Sequence, residues 1–556
     1  MTQGRVMSQQ SKLRHSREQW KRKATERAEH NRYLRKALAR IRQERDRLRH
    51  AHQETQERLR QHEAQTQGLV VSHKVDLVWL ALRLFLEVRI SFRAVSRVLQ
   101  LLAEGCGITK APCPQTIINW VTRLALVRGA AARRLQGLPL RAAPFSNGLI
   151  WLIDISIGLG TGKILAVLAC DAQHHQRVPE ALALNRVHCI GVAVADSWTG
   201  DTIAVWLGRL IAQMGRPAAY LKDGGSDLHK AVAVLEEHGL ASPCIDDISH
   251  AVAGMLKRSY HDHPTFATFV AACGRVSGQL KHTILACLAP PKVHTKARFM
   301  NVHRLFTWAE RLLTLSPPGG AKSGSTLARL RACLDQLPAC KALIKRFRGD
   351  ASGLLACQQI LKTRGLSHAT LAQCTPLLDA MPSPALRQEF HAYLTFELET
   401  AQTLGLDHVG LPISSDAIES LFGVAKRHGV GETQDAARIA LRLPALCGLP
   451  LREEAEQVLA VSVARQQAFT GQVISLTKQR REVLGHPERL ESLSLTQDDR
   501  PVEIIPSPKT RSNDQEIIYL SNSYKNPHRP QIPELDAPAF LENAALPDIR
   551  KMALTS

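Results

Sequence analysis

Between residues 148 and 250 the apolar positions fall into short, β-branched runs separated by turns. GLIWLIDIS (148–156) and GKILAVLACD (162–171), joined by a glycine-rich turn, predict a β-hairpin. CIGVAVAD (189–196), AAYLKD (218–223) and SPCIDDISH (242–250) predict three further strands. Between them, TGDTIAVWLGRLIAQ (199–213) and DLHKAVAVLEEHG (227–239) repeat at helical spacing. The order β-β-β-α-β-α-β-α sets the fold class as mixed α/β.

The period is helical on both sides of this block. Leu77, Leu80, Ala81, Leu84 and Phe85 form one apolar face. A second helix is expected over 91–105, with Ser91 as N-cap and Gly105 as stop, and a third from Pro114, with Ile117, Ile118, Val121 and Leu124 inward. Two short helices around a glycine-containing turn describe a helix-turn-helix over 71–144. Its second helix would offer Gln115, Thr116, Asn119 and Arg123 to DNA; a plain three-helix packing unit is the alternative. Residues 11–66 read as one long polar helix within a basic arm of 1–70, with a thin seam at Leu34, Ile41 and Leu48, fit to lie on DNA, to dimerise or simply to be solvated. Downstream, 262–410 lose the strand signal and read as a helical insertion splitting the α/β core into 145–261 and 411–482. A tail, 483–556, rich in Pro, Asn and Ser, is expected to be largely disordered.

Charge narrows the class. The chain has 556 residues, enough for three or four modules, and a net charge of +22. Residues 1–70 hold 18 basic and 8 acidic residues, so +10 lies in the first eighth of the chain. A field of that sign suits a polyanion, of which nucleic acid is the commonest. The 44% hydrophobic content excludes wholesale disorder. The 12 cysteines are scattered without metal-binding spacing, so reduced thiols are expected. The opening residues lack the apolar core of a secretory signal, and Asp154 and Lys163 interrupt the longest apolar region. A cytoplasmic protein with no membrane span is expected.

One apparent motif fails. GLGTGK (158–163) has three residues between Gly158 and Gly162 where a phosphate loop needs four, and Ile164 follows the lysine where Ser or Thr belongs. The informative positions are carboxylates that interrupt apolar runs. Asp154 sits inside WLIDIS, Asp223 ends AAYLKD before two glycines, and Asp246 and Asp247 end the fifth strand. An unpaired buried aspartate is costly, so each is bonded, at an edge, or bound to a cation. Three such acids from one sheet describe a hard-cation site for Mg²⁺ or Mn²⁺. Glu419 lies early in the helix of SSDAIESLFGVAKRHGV (414–430), where Asp416 and Glu419 also fit a capping box. Lys426 shares its face two turns on.

This series resembles the RNase H-like catalytic domain of DDE transposases of the bacterial insertion-sequence type: an acid in the first strand, an acid ending the fourth, a helical insertion, then a glutamate on a helix. The matching positions are Asp154, Asp223 and Glu419. Asp247 to His250 resembles the (C/D)-x-x-H signature of hAT-like, Mutator-like and related bacterial transposases. Glu419 with Lys426 resembles a glutamate–six residues–lysine element, although the accompanying Arg and Tyr are Ser415 and Pro412 here. The resemblance implies two-metal phosphoryl transfer with two Mg²⁺ (or Mn²⁺) ions, Asp154 bridging both and Asp223 and Glu419 each completing one. His250 would touch the phosphate or transition state, Lys426 and Arg427 would hold DNA phosphates, and Asp247 would be an auxiliary acid. The implied partners are double-stranded DNA, as transposon ends and target, and a second copy of the chain in a dimer or higher oligomer, in the nucleoid. A DNA-binding regulator without catalysis and a nuclease that cleaves without joining remain the alternatives.

Overall fold

The computed structural model describes residues 74–473, apart from 104, 106–107, 109, 157–161, 294–297, 316, 318 and 429–434; it also describes scattered positions between 14 and 47, and residues 480, 481, 485, 502 and 503. The chain forms two units, 1–72 with 101–110, and 73–100 with 111–556. In the first, the described positions between 14 and 47 are helical and exposed, Trp20 and Leu38 included. The predicted seam at Leu34, Ile41 and Leu48 and the predicted tail beyond 503 lie outside the described residues.

The second unit is built on a mixed sheet of β1 (Leu149–Ser156), β2 (Lys163–Asp171), β3 (His188–Ala195), β4 (Ala219–Lys222), β5 (Cys244–Asp246) and the two-residue β6 (Val502–Glu503), in the order β5-β4-β1-β2-β3-β6. β1, β2 and β3 are antiparallel, while β4 runs parallel to β1 and β5 parallel to β4. Ser156 pairs with Ile164 and Lys163 already lies in β2, so the segment that mimics a phosphate loop joins two strands. The centre of the sheet needs an unbroken apolar run rather than an alternating one, because both of its faces are covered. β1 meets this with Leu149 to Ile153 all buried. One face packs Trp151, Ile153 and Tyr220 against Ile203 and Leu207 of α4 (Gly200–Met214) and Leu228 and Ala231 of α5 (Ser226–Glu237). Gly191 in β3 is required there, since a Cβ would lie 2.6 Å from the Trp206 ring.

The fifth strand is shorter than the sequence predicts. It stops at Asp246, because Asp247 accepts the His250 N–H and begins helix α6 (Ile248–Tyr260). Helices then run through α7 (Pro264–Leu280), α8 (His303–Leu315), α9 (Thr326–Cys333), α10 (Lys341–Arg364), α11 (His368–Asp379) and α12 (Pro384–Leu404). The chain returns to the sheet with α13 (Asp416–His428), which lies against β1.

Upstream, α1 (Lys74–Leu86), α2 (Phe92–Leu101) and α3 (Pro114–Ala132) are helical as predicted, but α1 buries Val78, Ala81, Leu82 and Phe85 while Leu77, Leu80 and Leu84 are only half-buried. Ile118 of α3 is half-buried too, and α2 ends at Leu101 instead of Gly105; Ser91 Oγ accepts the Ala94 N–H at 3.2 Å. α3 runs on to Ala132 and buries ten of its 19 residues. After α13 the described chain breaks into short turns of helix at Ala436–Ala440 and Leu443–Leu446, then α14 (Arg452–Ala460) and α15 (Val463–Gly471). Arg128 of α3 fixes the break by donating to the carbonyls of Ala445, Cys447 and Leu449 and pairing with Glu454 at 2.8 Å. The described cysteines are all free, and no described helix is long and apolar enough to cross a membrane.

Candidate active site

Strand pairing places the first two acids. Ile153 of β1 is level with Lys222 of β4, so the next residues, Asp154 and Asp223, leave neighbouring parallel strands side by side. Such strands are about 4.8 Å apart. Lys222 is in turn level with Asp246, which puts Asp247 next in the row. The row stands near the carboxyl ends of three parallel strands, where open α/β sheets form their crevices. Asp154 alternates with Ile153 and so faces the side on which α13 lies. Asp223 Oδ1 accepts the Gly225 N–H at 3.1 Å.

Asp247 does not join the crevice as an auxiliary acid. It is buried, its Oδ1 accepts the His250 N–H (2.9 Å), and its Oδ2 accepts both the Ser415 N–H (2.6 Å) and the Ser415 hydroxyl (2.9 Å). One carboxylate thus caps α6 and ties down the residue that precedes α13. Burial raises its pKa, and these hydrogen bonds oppose the rise. The tie brings together two side chains 169 residues apart, His250 in the first turn of α6 and Glu419 in the first turn of α13. The capping-box alternative for Glu419 is not adopted: Asp416 turns instead to Lys362 (2.6 Å) and Ser249 (3.3 Å).

His250 lies between the acids. Its Nε2 is 3.2 Å from Glu419 Oε1 and its Nδ1 is 3.8 Å from Asp223 Oδ2. The hydrogen bond to Glu419, helped by the charges of Asp247 and Asp223, lifts its pKa to about 9, so the ring is an imidazolium at neutral pH. Asp154 moves up as well, to about 7. Burial is the main cause and the charge of Asp223 the next, against the Ile155 N–H at 2.6 Å and the His250 charge. A buried carboxylate that resists ionising beside a second one marks a site short of positive charge. Their hard oxygens match a hard divalent cation, so the donor set fits such an ion. With His250 between Asp223 and Glu419, no three described His, Cys, Asp or Glu side chains form an arrangement that could hold an ion as they stand. A cavity of about 600 Å³ opens beside Asp223 and His250.

The other sequence candidates are spread out. Lys426 and Arg427 are exposed two turns along α13 from Glu419. On α3, Gln115 is exposed and bonds Asn119 (3.1 Å), while Thr116 and Asn119 are half-buried. Arg123, proposed as a DNA contact, directs its Nε to Gln466 of α15 at 2.6 Å. The burial of α3 against its neighbours turned that side chain inward.

Sequence reasoning missed the polar cluster behind the crevice. Lys222, 2% exposed, donates to Asp246 Oδ1 (2.8 Å) and reaches His229 Nδ1 (3.2 Å). Glu397 of α12 is fully buried and accepts the Asp246 N–H at 3.0 Å, and Tyr393 donates to the Asp246 carbonyl at 2.7 Å. Burial, with the nearby charge of Asp246, lifts Glu397 to about 8. The available signal was a lysine inside the apolar run AAYLKD, the same kind of interruption that singled out Asp154.

No protein-family model matches the chain, and no curated protein matches it. Among solved structures it is similar to a Drosophila P element transposase strand transfer complex, with a TM-score of 0.37 and 11% identity over 73% of this chain and 99% of that one.

Proposed function

We propose that this protein is a DDE-type transposase of the RNase H-like class, cutting DNA and joining the freed 3′ end to a target. The observation that carries the reading is the convergence of Asp154 from β1, Asp223 from the end of β4 and Glu419 from α13 around the His250 imidazolium. The sheet with its parallel β1-β4-β5 edge, and the helices that separate α6 from α13, match the order of parts that the sequence resemblance implies. Asp154 and Asp223 would hold Mg²⁺ or Mn²⁺, joined by Glu419 once it leaves His250. Bound there, the ions would supply the charge that offsets the transition-state phosphate and would acidify the attacking water.

The chain's own groups do the rest. Asp154 keeps one oxygen on the Ile155 amide, which holds its carboxylate still. The His250 imidazolium can donate to a phosphate oxygen in the place where Glu419 now accepts. Asp247 pins the backbone at the start of its helix through the His250 N–H. Lys426 and Arg427, exposed on the helix of Glu419, would lie along the DNA, and the basic residues of 1–70 would gather it. The proposed partners are transposon ends, target DNA and a second copy of the chain.

The test is an assay on duplex DNA taken from the flanks of the reading frame and labelled at the 5′ end of the strand to be cut, so that the label stays with the freed 3′ end. Asp154→Asn should lower Mg²⁺-dependent nicking at least a thousandfold, about 4 kcal/mol of barrier, while gel-shift retention of DNA stays intact. Joined product marks a transposase, cleavage without joining a nuclease, and binding alone a regulator. Loss of nicking and retention together would make Asp154 a structural residue and end the proposal.

A further inference from the structure

The cavity beside the reacting acids has a shape that the acids do not explain. One wall is a single face of α6, carrying His250, Gly254, Lys257 and His261 at spacings of four, three and four residues; Gly224 and Phe299 lie across from it. At about 1.5 Å per residue, Lys257 stands roughly 10 Å along the helix from His250, some three base steps of a duplex strand. The wall is cleared of side chains at its middle. A Cβ on Gly254 would meet only the tip of Arg258, at 3.3 Å, and one on Gly224 would meet nothing within 4 Å.

The charges are arranged with the same bias. Lys257 and Arg258 are consecutive. Arg258 is held by Glu389 at 2.5 Å, whereas among the described residues no acid pairs with Lys257, which lines the groove. His261, exposed at the end of α6, lines the groove, with its ring edge-on to Phe299 at 6.2 Å and 6.4 Å from Phe266. A lysine with no acidic partner among the described residues, an exposed histidine and an emptied helix face in line with the reacting acids suit a row of phosphates approached closely by backbone. A single small anion would use one end of the row only.

We infer that this α6 groove carries the DNA strand leaving the scissile phosphate, with Lys257 bound to a phosphate about three nucleotides away, His261 to one about five away, and Gly254 admitting the sugar-phosphate backbone. This rests on the proposed DNA-cutting function, and the binding test below is separable from it.

The test is the affinity of the full chain for short random-sequence duplex DNA, measured without divalent metal across a salt series. Lys257→Ala should weaken binding roughly fivefold near 0.1 M salt and flatten the slope of log K against log salt by about 0.9, the signature of one lost phosphate contact. Lys257→Arg should restore both. Gly254→Leu, which fills the groove from a position where only the Arg258 tip must move, should weaken binding with an unchanged melting temperature. Unaltered affinity and slope in Lys257→Ala would overturn the groove, even in a protein that nicks DNA normally. A protein that never nicks DNA but loses affinity as described would retire the catalytic proposal and leave the groove standing.

Discussion

Two acidic clusters stand on the same pair of strands, one residue out of step. Lys222 and Asp246 are level in β4 and β5 and bond each other, with Glu397, Tyr393 and His229 around them. Asp223 and Asp247 follow immediately, on the opposite side of the pleat. The first cluster contains its own cation and is roofed by α12, so the Asp246 charge is answered within the protein. The second has three carboxylates, an imidazolium in place of a fixed cation and an adjoining cavity. Polar groups that hold a fold together are satisfied internally, whereas a site that must receive a charged ligand is left short of its counter-charge. Acid content does not separate the two clusters; the presence of an answering cation does.

That difference yields opposite phenotypes. The largest expected effect is in the crevice. Asp223→Asn keeps the side-chain oxygen that accepts the Gly225 N–H yet removes a charge from the metal-binding set, so nicking should fall at least a thousandfold. Thermal stability should hold or rise by up to about 1 kcal/mol, because repulsion with Asp154 is relieved. A clear loss of stability would erase the contrast. Lys222→Met should do the reverse. It leaves Asp246 without its cation and should lower stability by about 2–3 kcal/mol, less than for a fully buried pair because Asp246 is half-exposed. The turnover of the molecules that remain folded should stay near the wild-type value, read by active-site titration beside a melting curve.

Much of this architecture was legible in the chain. Continuous apolar runs locate the five main strands within a residue or two, except the fifth, because a central strand is buried on both faces and its period cannot be mistaken for a surface helix. Asp154 and Asp223 were legible because a charge inside such a run is expensive and demands a reason. Asp247 was misread for a physical cause: whether an acid at a strand end faces a cleft or caps a helix depends on its partners, and Ser415 is 168 residues away. Arg128 and Arg123 escaped for the same reason, since the carbonyls of 445–449 and the side chain of Gln466 become their partners only in the folded chain. Local periodicity encodes elements; long-range hydrogen bonds decide which polar residues remain free.

The inner cluster also makes a prediction in pH. Glu397 has its folded pKa raised to about 8 by burial, above the ordinary value of about 4.3. A raised pKa means that the protonated form is the one the fold favours. Its contribution is complete below the ordinary value and disappears as pH climbs through about 8. Glu397→Gln keeps an acceptor for the Asp246 N–H and cannot ionise. Wild type should therefore lose stability relative to this variant between pH 5 and 8, by at most about 1.4 kcal/mol per pH unit, in paired unfolding curves. Parallel curves would mean that Lys222 already compensates the Glu397 charge.

The smallest effect belongs to the bond that links the two helices of the crevice. Ser415 gives Asp247 two hydrogen bonds, one from its backbone and one from its hydroxyl, and Ser415→Ala removes only the second. The loss should be about 1 kcal/mol of stability, and the backbone bond at 2.6 Å should keep α13 in place. If Asp247 does no more than hold the fold, nicking per folded molecule should be unchanged. If the bond also sets where Glu419 stands relative to His250, kcat should drop several-fold with KM unaltered, and Ser415→Thr, which restores the hydroxyl, should recover it. The first outcome places Asp247 with the inner cluster as part of the scaffold. The second assigns it to the crevice as a positioning residue, and the boundary between the two clusters then runs through that single carboxylate.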